Sequence, residues 1–323
     1  MKLAIFAAAF AFSTFNLSAV ALAEDASLAE QAVDALNKAD GAYPGYRANH
    51  AKGLVAEGNF RPAPEAARLS KASIFKGPVI PATFRLSSGS GMPTVSDATP
   101  RANPHGLSIK YHLPDGSETD MVLNSRHFFP VGTVEEFRDL ELAIASSPSG
   151  APKPTALDAF IAVHPLVAVP LETPESFAEE QYNGLDAFIF TNAQGVKHAL
   201  RYIVAPDRIV HLTPEEAAKQ EPNFLFDEIR TRLAKGPVTF ELKAQLAEPG
   251  DPITDATKRW PAERLIVTLG TLTIQKVVAN SAEAEKQLLF LPGRVIDGIE
   301  PSDDPLIQGR DDAYAVSFSR RNR

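Results

Sequence analysis

The sequence predicts one large α+β unit, built from antiparallel strands with helices inserted between them. Three observations carry that reading. Leu107, Ile109, Tyr111 and Leu113 alternate with polar residues, and a Pro-Asp-Gly turn at 114–116 sends the chain back into Thr119 to Leu123, which is a hairpin signal. Later segments, HALRYIVAP from 198, PVTFELKAQL from 237 and ERLIVTLGTLTIQKV from 263, are rich in β-branched and aromatic residues and read as strands. Between and before them lie stretches with helical spacing or capping signals, and no fixed-period repeat divides the chain.

Taken in order, residues 1–23 have a charged start, an apolar middle interrupted by Ser13, Thr14 and Asn16, and a small-residue end at Ala21 to Ala23. This is the pattern of a secretory signal cleaved after Ala23, leaving 24–323 as one domain expected in a periplasm. Ser27 to Lys38 sets Leu28, Ala32, Val33 and Leu36 on one helical face, with Gly41 as a stop. A strand in PVIPATFRLSS from 78 precedes a Gly, Ser and Pro-rich loop that runs to about 105. Helices are expected in VEEFRDLELAIAS from 134, ALDAFIAVHP from 156 and PESFAEEQY from 174, the last capped by Thr173 or Ser176. LTPEEAAKQ from 212 and FLFDEIRTRLAKG from 224 read as helices between the later strands.

Composition narrows the function. Hydrophobic residues make up 44% and charged residues 22%, enough to bury a substantial core. A formal net charge of -8 without a basic run argues against nucleic acid or an anionic lipid surface as partner. No segment after the signal is long and apolar enough to span a bilayer. With no Cys, stability rests on packing, and with only three Met the chain suits contact with oxidants. The short metal and phosphate motifs and the GxSxG elbow are absent, and SSGSGMP at 87–93 reads as a surface loop.

What remains is a set of spaced polar residues. RANHAKG at 47–53, FRLSSGSG at 84–91, NPHGLSIKYHLPDG at 103–116, DMVLN at 120–124, FFPV at 128–131 and GIEPSDDPLIQGRDDAYAVSFSRR at 298–321 together resemble the haem catalase superfamily, in order and over nearly the whole mature chain. In length the chain is similar to the small catalase-related peroxidases. The resemblance implies a catalase-like antiparallel β-barrel with surrounding helices, the distal side of the haem held by the barrel interior, and haem b as cofactor.

It also implies roles for individual residues. His50 matches the distal histidine and Tyr314 the axial phenolate ligand of the iron. Arg310, four residues before Tyr314, stands beside that phenolate if 306–317 is helical. Arg321 reaches the same oxygen or a propionate, Arg47 and Arg85 match propionate-binding arginines, and Ser87 matches the serine that bonds the distal histidine. Asn124 matches the distal asparagine, although NSRHFFPV after it departs from the family pattern, Leu86 replaces a Phe, and His105 stands where an arginine is common. Phe128 or Phe129 flanks the haem or packs structurally.

The chemistry of these residue types is consistent with those roles. An anionic axial donor supports high oxidation states of haem iron, and a phenol with a free pKa near ~10 needs iron and a guanidinium to stay deprotonated. A histidine near ~6.5 can take a proton from H2O2 and return it to the departing oxygen. The expectation is an exported peroxidase that takes H2O2 and small organic electron donors, as a monomer or homodimer. Catalase-type dismutation, hydroperoxide rearrangement and a non-catalytic haem-binding barrel are the alternatives.

Overall fold

The computed structural model describes residues 26–322, so the expected signal at 1–23 lies outside the described residues. The strands are β1 (Gly53–Pro62), β2 (Ile80–Ser87), β3 (Gly106–His112), β4 (Glu118–Asn124), β5 (Thr173–Pro174) and β6 (Tyr182–Asn183). They continue with β7 (Phe188–Thr191), β8 (Lys197–Ala205), β9 (His211–Leu212), β10 (Val238–Leu246), β11 (Ile266–Val277) and β12 (Ile299–Pro301). Helices are α1 (Leu28–Asp40), α2 (Ala66–Leu69), α3 (Val134–Ala145), α4 (Ala156–Val163), α5 (Pro214–Ala217), α6 (Phe224–Lys235), α7 (Ser281–Gln287) and α8 (Pro305–Arg321).

Strands β10, β11, β1, β2, β3, β4, β6 and β8 pair in that order, and β8 pairs back onto β10. The result is a closed eight-stranded antiparallel barrel, with β7 and β12 extending the sheet beyond β8. Closure removes the open edges that invite aggregation. The lumen is filled by side chains from every quarter of the ring, among them Phe60, Phe84, Tyr111, Tyr182, Phe240 and Leu272, all fully or almost fully buried. Phe60 meets Tyr111 edge to face with ring centroids 5.6 Å apart, a favoured geometry for aromatic pairs.

Period-two alternation then decides where a cofactor can sit. Leu86 pairs with Leu107 inside the barrel, so their neighbours Arg85 and Ser108, also paired, point outward. The expected placement of the distal side in the barrel interior is therefore corrected: Phe84, Leu86, Leu107 and Ile109 occupy that space, and the polar set lies on the outer wall. Helices α1, α3 and α8 cover this wall, with α1 packed on both of the others.

Local sequence explains these helices. Ser27 forms a reciprocal capping box with Glu30, and Gly41 ends α1 in a positive-φ conformation of 95°. Asp304 caps α8, accepting from the Leu306 amide at 3.0 Å, and Pro305 occupies the first turn, where its missing N–H costs nothing. Gly309 lets α8 approach α3: a Cβ there would lie 2.1 Å from Val134 Cγ2.

Among the elements that differ from the sequence reading, two have a clear local cause. PESFAEEQY is not a helix; Pro174 ends β5, a 3-10 turn covers only Phe177–Glu179, and Tyr182 starts β6. The apolar Phe177, Ala178 and Tyr182 are all buried, and the Tyr182 hydroxyl donates to the Phe177 carbonyl at 2.8 Å, so tertiary packing overrides the helical propensity of the Glu-rich run. The other is β1. Its pairing with β11 shifts between Glu57 and Gly58, and this bulge breaks the alternation that would have marked the strand.

Candidate active site

A cavity of about 450 Å3 lies between the outer wall of β1 to β4 and the covering helices. His50, Arg47, Arg85, Ser87 and Asn124 line it, as do Arg310, Tyr314 and Arg321 from α8. All eight residues singled out in the sequence thus converge on one space.

On the barrel side, one cross-strand row reads Gly53, Ser87, Gly106 and Asn124. The glycines are required by crowding. A Cβ on Gly106 would come within 2.7 Å of Ser87 Oγ and 3.0 Å of His50 Nδ1. Ser87 Oγ and His50 Nδ1 are 3.1 Å apart, a hydrogen bond that fixes the ring and leaves Nε2 for other chemistry.

His50 is the only described non-glycine residue with positive φ, at 52°. That backbone is held from both sides: Asn49 Oδ1 accepts from the His50 N–H at 2.9 Å, and Arg85 Nη2 donates to the His50 carbonyl at 2.7 Å. The segment is also tied to α8, because the Ala48 N–H donates to Ser317 Oγ at 3.1 Å. Burial, then the positive charges of Arg85 and Arg310 together with His105 and Arg47, push the His50 imidazole down to about 3. The ring is therefore neutral near neutral pH and able to accept a proton.

Asn124 ends β4, and its Oδ1 accepts from the Arg126 N–H at 2.8 Å. With the oxygen engaged, the amide nitrogen is the group left to donate toward the cavity.

On the helix side, Arg310 Nε donates to the Tyr314 hydroxyl oxygen at 3.3 Å, across one turn of α8. Arg310 is itself paired with Asp186. Burial works against the Arg310 charge, but Tyr314 and Asp186 outweigh it and hold the guanidinium above its ordinary range. A permanent cation thus stands against the one phenol oxygen on this wall, the partner an anionic ligand oxygen needs.

A third group is made of Arg47, Arg85 and Arg321. Arg47 Nη2 and Arg321 Nη2 donate to the Leu288 carbonyl at 2.9 and 2.5 Å, while Arg85 Nε lies 3.2 Å from Glu285 Oε1. Arg321 thereby sits with Arg47, on the Leu288 carbonyl, and not at the Tyr314 oxygen. Burial and the charge of Arg85 push the Arg321 guanidinium down to about 10, and burial with Arg85 and Arg321 lowers that of Arg47. Three guanidiniums against the single carboxylate of Glu285 leave two positive charges uncompensated, which fits a ligand carrying two carboxylates. Arg321 Nε is also buried without a hydrogen-bond partner among the described residues. The donor set fits a haem: three arginines for two propionates, and a phenol oxygen paired with a cation for the iron.

The remaining sequence candidates divide. Phe129 lines the cavity and meets Phe137 at 5.8 Å, whereas Phe128 is buried away from it. His105 is fully buried outside the cavity lining, with its ring edge-on to Phe177 at 5.5 Å. Sequence reasoning missed Glu285 and Asp186. They lie 200 and 124 residues from the arginines they pair with, and no local pattern marks them.

A family model for catalase matches residues 20–322. A catalase-related peroxidase of Mycolicibacterium paratuberculosis is 37% identical over 300 residues, covering 90% of this chain and 94% of that protein. One of Synechococcus elongatus is 32% identical over 319 residues, covering 96% of this chain and 94% of that protein. Among solved structures, a fungal catalase superposes with a TM-score of 0.77 at 21% identity, over 86% of this chain and 59% of that one. Catalase A from Saccharomyces cerevisiae gives 0.76 at 19% identity, over 86% of this chain and 62% of that one.

Proposed function

The chain belongs to the catalase family, and we propose that it is a haem b peroxidase that reduces hydrogen peroxide with electrons from small organic donors. The observation that carries this reading is the single cavity in which a neutral, oriented imidazole on the barrel wall shares space with an arginine-paired phenol on α8. When bound, the haem iron supplies the redox chemistry that no side chain offers.

The side chains do the rest. The Tyr314 oxygen would hold the iron, and Arg310, which donates to that oxygen, would favour it as an anion. Arg47, Arg85 and Arg321 would hold the propionates. His50 Nε2 takes the proton of incoming peroxide and returns it to the departing oxygen, which leaves as water. Ser87 keeps the imidazole from rotating, and the Asn124 amide donates to peroxide without competing for its proton. Export to a periplasm is supported by the pattern of residues 1–23, and we propose a monomer or homodimer.

His50→Ala tests the assignment. The variant keeps its haem absorption, and its reaction with peroxide slows by roughly 10²–10⁴-fold, the usual value of one acid/base group. An unaltered rate refutes the role of His50. Oxygen evolution from peroxide alone, faster than oxidation of an added donor, identifies dismutation as the main activity instead.

A further inference from the structure

Helix α3 carries Phe137, Leu140, Glu141 and Ile144 on one face, and all four line the cavity. By helical spacing position 141 calls for an apolar residue, yet it holds a carboxylic acid. Val33, Leu36 and Asp40 of α1, which packs on α3, line the same cavity. Asp40 is fully engaged: it accepts from Ser90 Oγ at 2.8 Å and from the Gly91 N–H at 2.5 Å, and it pairs with Arg101. Glu141, half-buried, has no hydrogen bond or ion pair among the described residues.

Building on the peroxidase reading above, we propose that the compartment between α1 and α3 is the reducing-donor site, that it takes small neutral phenols, and that Glu141 accepts the phenolic proton. The apolar walls take the ring, and the free carboxylate takes the hydroxyl. The step balances as two one-electron oxidations for each peroxide. In each, a phenol O–H breaks, its proton goes to a Glu141 oxygen, and its electron goes to the peroxide-oxidised enzyme. Two phenols and one H2O2 give two phenoxyl radicals and two waters, the donated protons ending in the water.

The surroundings of Glu141 suit a base working near neutral pH. Burial, followed by the negative charge of Asp40, pushes its carboxyl up to about 7, against the opposing pull of Arg101. Asp40 and Arg101 are the charged groups that bear on it.

The test compares Glu141→Gln and Glu141→Leu with the parent holoenzyme. Hydroquinone gives up a proton with each electron, whereas ferrocyanide gives up none. The ratio of kcat/KM for hydroquinone to that for ferrocyanide falls by roughly 100-fold in both variants, the low end of what one general base contributes. The parent's hydroquinone rate rises with pH through about 7, as the carboxylate forms, and this limb disappears in Glu141→Gln. Calorimetry with phenol and the resting holoenzyme, where no oxidation occurs, gives weaker binding to Glu141→Leu. An unchanged ratio together with an unchanged pH limb overturns the proposal, as does phenol binding that ignores position 141. Because the peroxide step is read separately through His50→Ala, failure here is distinguishable from failure of the peroxidase reading.

Discussion

Burial that keeps a proton off an imidazole makes stability depend on pH. His105 is fully buried, and neither ring nitrogen has a hydrogen-bond partner among the described residues; burial, with smaller contributions from His211 and Lys52, pushes its imidazole down to about 3. In the unfolded chain the same ring titrates near ~6.5. The folded value is depressed, so between these limits the unfolded chain binds the extra proton. Stability from this residue is complete above ~6.5 and is lost as pH falls toward about 3. At about pH 5 the loss amounts to ~2 kcal/mol, from about 1.4 kcal/mol per pH unit across the interval below the unfolded value.

His105→Phe removes this linkage and keeps the ring contact with Phe177. Urea denaturation of parent and variant holoenzymes, at fixed protein and haem, is measured at about pH 7 and about pH 5. The difference between them isolates His105, because Glu141, raised to about 7, acts with the opposite sign in both proteins. The drop between the two pH values is smaller in the variant by ~2 kcal/mol. A variant that loses as much stability as the parent refutes the idea that this imidazole is held neutral.

Two further outcomes follow from contacts around the cavity. Ser87→Ala removes the hydrogen-bond partner of His50 Nδ1, a bond worth ~1 kcal/mol, so stopped-flow peroxide kinetics slow by roughly five- to ten-fold with haem retained. Gly309→Leu drives a side chain into Val134, where a Cβ alone already stands at 2.1 Å. Overpacking of ~1–3 kcal/mol lowers the Tm, and the displaced α8 releases haem faster to an acceptor protein.

Much of this was legible in the sequence, for identifiable reasons. The β3–β4 hairpin announced itself because alternation and a Pro-Asp-Gly turn are local signals. The pairing of Arg310 with Tyr314 was readable because residues four apart share a helical face. Long-range relations were not. The β8–β10 contact that closes the barrel has no local signature, and without it the outward direction of Arg85 and Ser87 could not be assigned. The run at 174–182 has helix-forming glutamates, yet burial of Phe177 and Tyr182 decided its path. Glu141 drew no notice in the sequence, because a charge on an amphipathic helix is ordinary until its face is known.

The most direct measurement is the absorption spectrum of the purified holoenzyme beside that of Tyr314→Phe. A phenolate on ferric haem iron gives the parent a charge-transfer band, and the variant, with its ring kept and its oxygen gone, loses that band and most of its bound haem. A variant that keeps both the parent spectrum and full haem content contradicts axial ligation by Tyr314, and with it the chemistry assigned to the cavity.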